Sequence, residues 1–426
     1  MSVDDRPPDP DLDADLLPAA HAALADPNIR QIAVAVSGGG DSIALLHLLH
    51  RAAGPGQVTL HAVTVDHGLR PESALEAAGV AAFCASLGIA HTTLQWRDHS
   101  PTGNLMDNAR QARRRMISDW ALAAGIGHIA IGHTADDEAE TFLMGLARAS
   151  GLDGLAGMRS NWADCGVIWQ RPLLRHSRAD LRAYLVRHGI AWVDDPTNDD
   201  DHYTRIKARK ALAALAPLGI TIKSLTTSIS HLNVARQALQ QGLAMVAQDC
   251  VTTPGGAVKI GKSQFASLPA DTQRRLLVLA TAWLSSSAYP PRSTKQITLL
   301  HAALTGRDAT LNGCRLRHTA GHITLTREPR AVALNQPATQ TPTHHWWDNR
   351  WCVDGPHAAD LTLRALGAAG LRACKNWRHT GLSRDALLVS PAVWRGDALI
   401  SAPLAGFNPE WTASIPTPFD KFILSH

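Results

Sequence analysis

At 426 residues, with 45% hydrophobic and 18% charged side chains, the chain has an ordinary globular composition and a length suited to roughly three domains, which excludes fibrous, disordered and disulfide-scaffold classes. It has no apolar run of about 18 residues and no basic-then-apolar leader, so a soluble cytoplasmic protein is expected. The formal charge of +4 hides an acidic tail in which residues 1–16 hold six Asp against one Arg; the remainder carries +9, compatible with a nucleic-acid partner.

After the tail and a short helix (1–28), Ile32 to Val36 is apolar, β-rich and short enough to be a buried parallel strand. The loop Ser37-Gly38-Gly39-Gly40-Asp41-Ser42 follows, and Ile43 to Leu49 then continues as an apolar stripe of helical type. Further strands are expected at Val58–Val65, His91–Gln95, His128–Ile131 and Val167–Gln170, with helices at Ser73–Leu87, about Asn104–Ala124 and from about Ala135. Strands alternating with helices predict an α/β fold with a parallel, Rossmann-like sheet, whose ligands sit beyond the carboxyl ends of the strands. A basic helical segment, Tyr203 to Leu215, closes this domain (29–216). A mostly helical domain (217–332) follows, with an amphipathic helix at Thr272–Trp283 and a terminal hairpin built from Ala309–His318 and Gly321–Arg327. A Pro-, Thr-, Gln- and Asn-rich linker (333–345) leads to a small mixed α/β domain, 346–426. The six cysteines are scattered without a Cys-x-x-Cys pair, so neither a zinc site nor a disulfide framework is expected.

Three constellations carry chemistry. Glycines let a backbone approach a ligand, and a helix starting at Asp41 or Ser42 aims unpaired N–H groups and its positive dipole end at the loop, which suits phosphate; a plain N-capped turn would be spelled the same way. A second loop, Gly256 to Gly261-Lys262-Ser263, matches the P-loop spelling, but a turn precedes it and Ala257 to Ile260 reads as a strand, so we take it as a chance match. In His133-Thr134-Ala135-Asp136-Asp137-Glu138-Ala139-Glu140, helical spacing puts His133, Asp137 and Glu140 on one face, while Thr134 with Asp137 also spells a capping box. Arg110, Arg113 and Arg114 form a cationic stripe on the long helix.

The form Ser-Gly-Gly-x-Asp-Ser after a buried strand resembles the PP-loop of the ATP pyrophosphatase superfamily, whose members cut ATP between its α and β phosphates. Val65-Asp66-His67-Gly68-Leu69-Arg70-Pro71, Ala109-Arg110-Gln111-Ala112-Arg113, the His133 to Thr141 run, Arg148 to Met158, Arg171-Pro172-Leu173-Leu174-Arg175 and Trp192 to Asn198 follow in order. Together they resemble the tRNA(Ile)-lysidine synthase family, strongly over about 31–210, fairly over 264–330 and weakly beyond. The resemblance implies an adenine nucleotide alpha hydrolase-like PP-loop domain and two smaller C-terminal domains. It implies a ligase that adenylates C2 of the wobble cytidine in a CAU-anticodon isoleucine tRNA and then joins free L-lysine to it, releasing AMP and pyrophosphate and changing codon reading from AUG to AUA. ATP and magnesium are the implied cofactors, and a homodimer is allowed.

On that resemblance, Ser37, Gly38, Gly39, Gly40, Asp41, Ser42, Val65 and His67 bind nucleotide, and Asp41 and Asp137 hold the metal. Asp41, Arg113, His133, Asp137 and Glu140 are the catalytic candidates, with Asp137, Glu140 and His133 positioning and deprotonating lysine. Arg175, Arg205, Lys207 and Arg209 are candidate tRNA contacts, as are Arg178, Arg182 and Lys210, although each taken singly is more often a solvated surface charge. Trp346, Trp347, Trp377 and Trp394 are expected in the core before they are expected to stack on bases. The chain departs from the family where Arg-Asn-x-Ile-Arg is usual: Arg205-Ile206-Lys207-Ala208-Arg209 keeps both arginines and loses the asparagine. The rival readings are a tRNA 2-thiolation enzyme of the same superfamily, which typically needs a cysteine pair, a small-molecule amide-forming ligase, and a catalytically dead tRNA-binding module.

Overall fold

The computed structural model describes residues 13–66, 73–96, 105–193, 204–287, 291–339 and 344–425; the acidic tail 1–12, His67 and the Asp194-to-Asn198 element lie outside them. Contacts divide the chain into two compact units, 1–236 and 237–426.

The first unit runs α1 (Leu17–Ala23), β1 (Gln31–Ala35), α2 (Gly40–Gln57), β2 (Thr59–Asp66), α3 (Ser73–Ser86), β3 (Ala90–Gln95), α4 (Leu105–Ala123), β4 (His128–Ile131), α5 (Ala135–Ala147) and α6 (Leu152–Leu155). It continues with β5 (Asn161–Asp164), β6 (Val167–Gln170), α7 (Arg178–Arg187), α8 (Thr204–Leu215) and the start of α9 (Ile222–Cys250). The sheet order is β3-β2-β1-β4-β6-β5, parallel except at the β5 edge. Strand β1 shows why the sequence forms a two-sided sheet. Ile32 and Val34 join a core with Leu45 and Leu49 of α2 and Leu181 and Tyr184 of α7, whereas Ala33 faces the opposite core with Ile117 of α4 and Trp169. Because β1 pairs with both β2 and β4, the strand order reverses there, at the crevice where open α/β sheets bind ligands. Strand β5 is an addition to the expected order; it folds onto β6 through Cys165 and Gly166, whose φ values of 50° and 81° make the two-residue turn such a hairpin needs.

In the second unit, helices Ala270–Ser285 and Ser293–Thr305 pack on a five-stranded sheet that contains the hairpin Cys314–Thr319 and His322–Arg327. The region is therefore less purely helical than expected, because Val251–Thr252, Val258–Gly261 and Ala309–Leu311 also pair into that sheet. The P-loop look-alike is part of it: Val258 and Ile260 are fully buried, so no open loop exists, although a six-residue helix does begin directly at Lys262. Residues 344–425 bring two three-stranded sheets, the first strand of one beginning at His344, inside the expected linker. The C-terminal helix Phe419–Ser425 nevertheless buries Phe419 and Ile423 in the same core as Leu276 and Trp283, so the expected boundary at 333–345 does not separate two cores. Trp347 and Trp394 are buried, and Trp346 is 49% exposed. Among the described residues no single helix is long and apolar enough to cross a membrane, all six cysteines are free, and all but Cys165 are buried.

Candidate active site

The glycine loop turns from β1 into α2. Gly38 has φ +88°, a left-handed value that a side chain would strain. The two serines close the loop on itself: Ser42 Oγ accepts from the Ser37 amide at 3.1 Å and donates to the Gly39 carbonyl at 2.9 Å. No side chain caps the start of α2, so the first-turn amides and the dipole of an 18-residue helix point into the loop. Opposite, Gly132 follows the end of β4, and a Cβ there would lie 2.9 Å from the Asp41 carbonyl oxygen; only glycine lets the end of β4 approach the first turn of α2 this closely.

Helix α5 starts three residues later, at Ala135, and its first turn is a capping box. Asp137 Oδ2 accepts from the Thr134 amide at 2.9 Å and from its hydroxyl at 3.1 Å, while Oδ1 points the other way. Helix α7 is brought nose to nose with α5. The Ala135 amide donates to the His176 carbonyl at 2.9 Å, and the Arg178 amide donates to Asp136 Oδ2 at 2.7 Å. That contact carries the Arg178 guanidinium into the middle of the carboxylates: Nε is 3.1 Å from Asp41 Oδ2, and the terminal nitrogens are 3.5 Å from Asp137 Oδ1 and 3.5 Å from Glu140 Oε1. From α8, Arg205 reaches Asp137 Oδ1 at 3.4 Å and Arg209 donates to Glu140 Oε1 at 2.6 Å. Glu140 Oε2 is buried with no hydrogen-bond partner among the described residues.

The electrostatics follow from burial against these partners. Burial raises the Asp41 carboxyl, and Arg178 offsets this only in part because Asp137 and Asp136 push the same way as burial. Asp137 is also pushed up by burial, but His133, Arg205, the Thr134 amide and Arg178 together outweigh it and hold the group below its ordinary value. Burial opposes the Arg178 charge, yet Asp41, Asp137 and Glu140 hold it protonated more firmly than usual.

The structure thus gathers Asp41, Asp137, Glu140 and, through Arg171, His133 beside the Ser37–Ser42 loop. Val65 lies near the carboxyl end of β2, beside Leu94 of β3, and His67 is outside the described residues. Arg113 is exposed on α4. Two candidate tRNA contacts, Arg205 and Arg209, are directed onto the acidic face of α5: Ile206 and Ala208 are buried, and the arginine edge of α8 turns toward Asp137 and Glu140. Lys207 and Arg175 are exposed, and Arg175 lines an open cleft of about 420 Å³ with His176, Asp180 and Arg187. Arg178, expected only as an RNA-facing cation, is the residue at the centre.

A PP-loop domain family matches residues 16–216. A tRNA(Ile)-lysidine synthase from Ruegeria pomeroyi is 44% identical over 93% of this chain and 94% of its own length. One from Wolbachia pipientis wMel is 34% identical over 76% of each chain, and one from Bradyrhizobium sp. is 40% identical over 61% of this chain and 75% of its own. With this similarity extending through both units and the PP-loop residues seated at the strand-order reversal, the chain belongs to the tRNA(Ile)-lysidine synthase family.

Proposed function

We propose that the chain uses ATP to activate C2 of the wobble cytidine in a CAU-anticodon isoleucine tRNA and joins the ε-amine of free lysine to it. The observation that carries this reading is the convergence of Asp41, Asp137 and Glu140 with three arginines at the carboxyl ends of β1 and β4, directly beside the glycine loop. A C2 oxygen is a poor leaving group, so the reaction needs a nucleotide to convert it to an adenylate before an amine displaces AMP. The loop amides and the α2 dipole suit the departing pyrophosphate, and the arginines suit the charge that develops on it.

Lysine, whose amine has an ordinary pKa of about 10.4, must be held and relieved of a proton before attack. On this reading Asp137 Oδ1 and Glu140 would receive the ammonium in exchange for an arginine. Magnesium fits the donor set: the carboxylates are hard oxygen ligands, Glu140 Oε2 lacks a hydrogen-bond partner among the described residues, and the ion needs only one or two carboxylates besides phosphate oxygens. Among the described residues no group of three or more metal-ligating side chains is preassembled, so Asp41 and Asp137 would hold the ion together with the nucleotide. When bound, it would neutralise phosphate charge and draw electron density toward the leaving group.

The test is transfer of labelled lysine to unmodified isoleucine tRNA with ATP and magnesium, scoring AMP alongside. Incorporation that disappears when the wobble cytidine is replaced supports the reading, and absence of AMP release overturns it. Full retention of pyrophosphate release by Asp41→Ala removes Asp41 from its role.

A further inference from the structure

We infer that Arg171 fixes His133 as a neutral imidazole with its proton on Nε2, so that His133 is not the base that deprotonates lysine. The exclusion of His133 as that base rests on the lysidine-forming reading of the site; the tautomer itself does not.

His133 stands at the end of β4, its amide bonded to the Ile131 carbonyl at 3.1 Å, one residue before the cap of α5. Its Nδ1 accepts from Arg171 Nε at 2.7 Å. A guanidinium in a protein does not lose its proton, so Arg171 Nε is always the donor and Nδ1 must present a lone pair. An imidazolium carries hydrogen on both nitrogens and has no lone pair to offer, so the bond exists only with the neutral ring.

Arg171 is not free to retreat. It leaves β6 with its amide on the Ser160 carbonyl at 2.7 Å, and Nη1 donates to the Arg159 carbonyl at 2.6 Å. Its guanidinium lies 3.9 Å from the centre of the Trp162 ring, which in turn stacks on buried Trp169 at 5.8 Å with the planes 15° apart. The stack Trp169–Trp162–Arg171–His133 therefore runs from the sheet core to the site.

Among the described residues, the charged groups facing the imidazole include Arg171 from the end of β6 and Asp137 from the first turn of α5, the latter engaged on Oδ1 by Arg178 of α7 and Arg205 of α8. Asp137 attracts an imidazolium, but two arginines and the Thr134 amide already satisfy it, whereas protonating His133 would leave Arg171 facing a cation at hydrogen-bond distance. The remaining proton acceptors on the acidic face are Asp137 and Glu140, and Arg171 with Trp162 are positioning residues acting through His133.

Two-bond proton–nitrogen spectra of the full-length protein labelled at histidine, with His133→Ala identifying the signal, read the tautomer without any substrate. We expect an unprotonated Nδ1 and a protonated Nε2 from about pH 5.5 to about pH 8.5, straddling the ordinary histidine value of about 6.5. In Arg171→Met the same ring should titrate inside that window, and the pH profile of AMP release should gain an acid limb that the parent lacks. Arg171→Lys is the second variant: it keeps the charge and loses the fixed Nε–H, and the ring should again titrate. Wild-type His133 doubly protonated at the acid end, or protonated on Nδ1 at neutral pH, overturns the inference, as does an unchanged tautomer in both variants. A fixed Nε2–H tautomer in a protein that transfers no lysine would leave the tautomer assignment standing and sink the functional reading instead.

Discussion

Gly132→Ala is the sharpest probe of how the sheet positions the loop. The added methyl would meet the Asp41 carbonyl oxygen at 2.9 Å, its carbonyl carbon at 3.0 Å and the Ser42 amide nitrogen at 3.0 Å. All three are backbone atoms of the first turn of α2, so no side-chain rotation relieves the clash. Restoring ordinary contact needs a movement of about half an ångström between the ends of β4 and α2, and overpacking of this kind costs about 1–3 kcal/mol. In a unit of this size that lowers Tm by about 2–10 °C. Since a misplacement of about 1 Å costs about a hundredfold in rate, half of that predicts about a tenfold fall in AMP release. Gly127→Ala is the control, because nothing lies within 4 Å of its Cβ position. Thermal unfolding and AMP release are measured on both variants. A Gly132→Ala protein with parental Tm and a rate within about twofold of the parent would show that the close approach of β4 and α2 does not set the loop geometry.

Removing the central cation in Arg178→Ala should destabilise the first unit by about 2 kcal/mol, less than the full cost of a broken buried pair because Arg205 and Arg209 remain. The loss should have a pH signature: without Arg178 the folded-state pKa of Asp41 rises further above its unfolded value, so the variant regains stability as pH falls and loses it as pH rises, which chemical unfolding across the carboxylate range reads directly. Asp13 is buried and receives hydrogen bonds from Arg51, Arg187 and His188; burial pushes its carboxyl up, but those partners win and hold it at about 2. Its contribution of about 2 kcal/mol is therefore present above the unfolded value and lost as pH falls through about 2, and Asp13→Asn should unfold more easily at neutral pH while matching the parent in strong acid. In the second unit, Asp348 accepts from Arg327 at 2.8 Å through both oxygens, beside Arg350, whose burial depresses it to about 10. Asp348→Asn, which strands two buried guanidiniums, should cost about 3–5 kcal/mol in urea unfolding, and Arg350→Met should cost less than half of that.

The parallel sheet and the loop were legible because their signals are local. Ile32 to Val36 has no polar residue, the glycines mark a chain reversal, and Ile43 to Leu49 has helical periodicity. Asp137 was legible only as a choice between capping and chemistry, and the fold divides the choice between its two oxygens. The sequence around Arg178 spells only a basic residue that could contact phosphate or face water; what moves it inward is the meeting of two helix starts far apart in sequence. Arg205 and Arg209 did carry a usable signal: four apart on α8, they match Asp137 and Glu140, three apart on α5, with opposite charge. Strand β5 was missed because Asn161–Asp164 is short, and its evidence was the Cys165-Gly166 turn, not its own composition.

The arginines around the acidic face have one more consequence. Arg178, Arg205 and Arg209 pair with Asp41, Asp137 and Glu140, so each of these three carboxylates already faces a cation before any substrate binds. On the proposed reading, a cationic substrate would enter by exchange, and exchange would become favourable once a polyphosphate supplied the anion to which a guanidinium can swing. The resident ion pairs would in this way impose an order of binding, nucleotide before amine. Calorimetry of lysine alone should show little heat, and the same titration after a non-hydrolysable ATP analogue should show tight uptake; equal affinity in both would mean that the arginines do not gate the site.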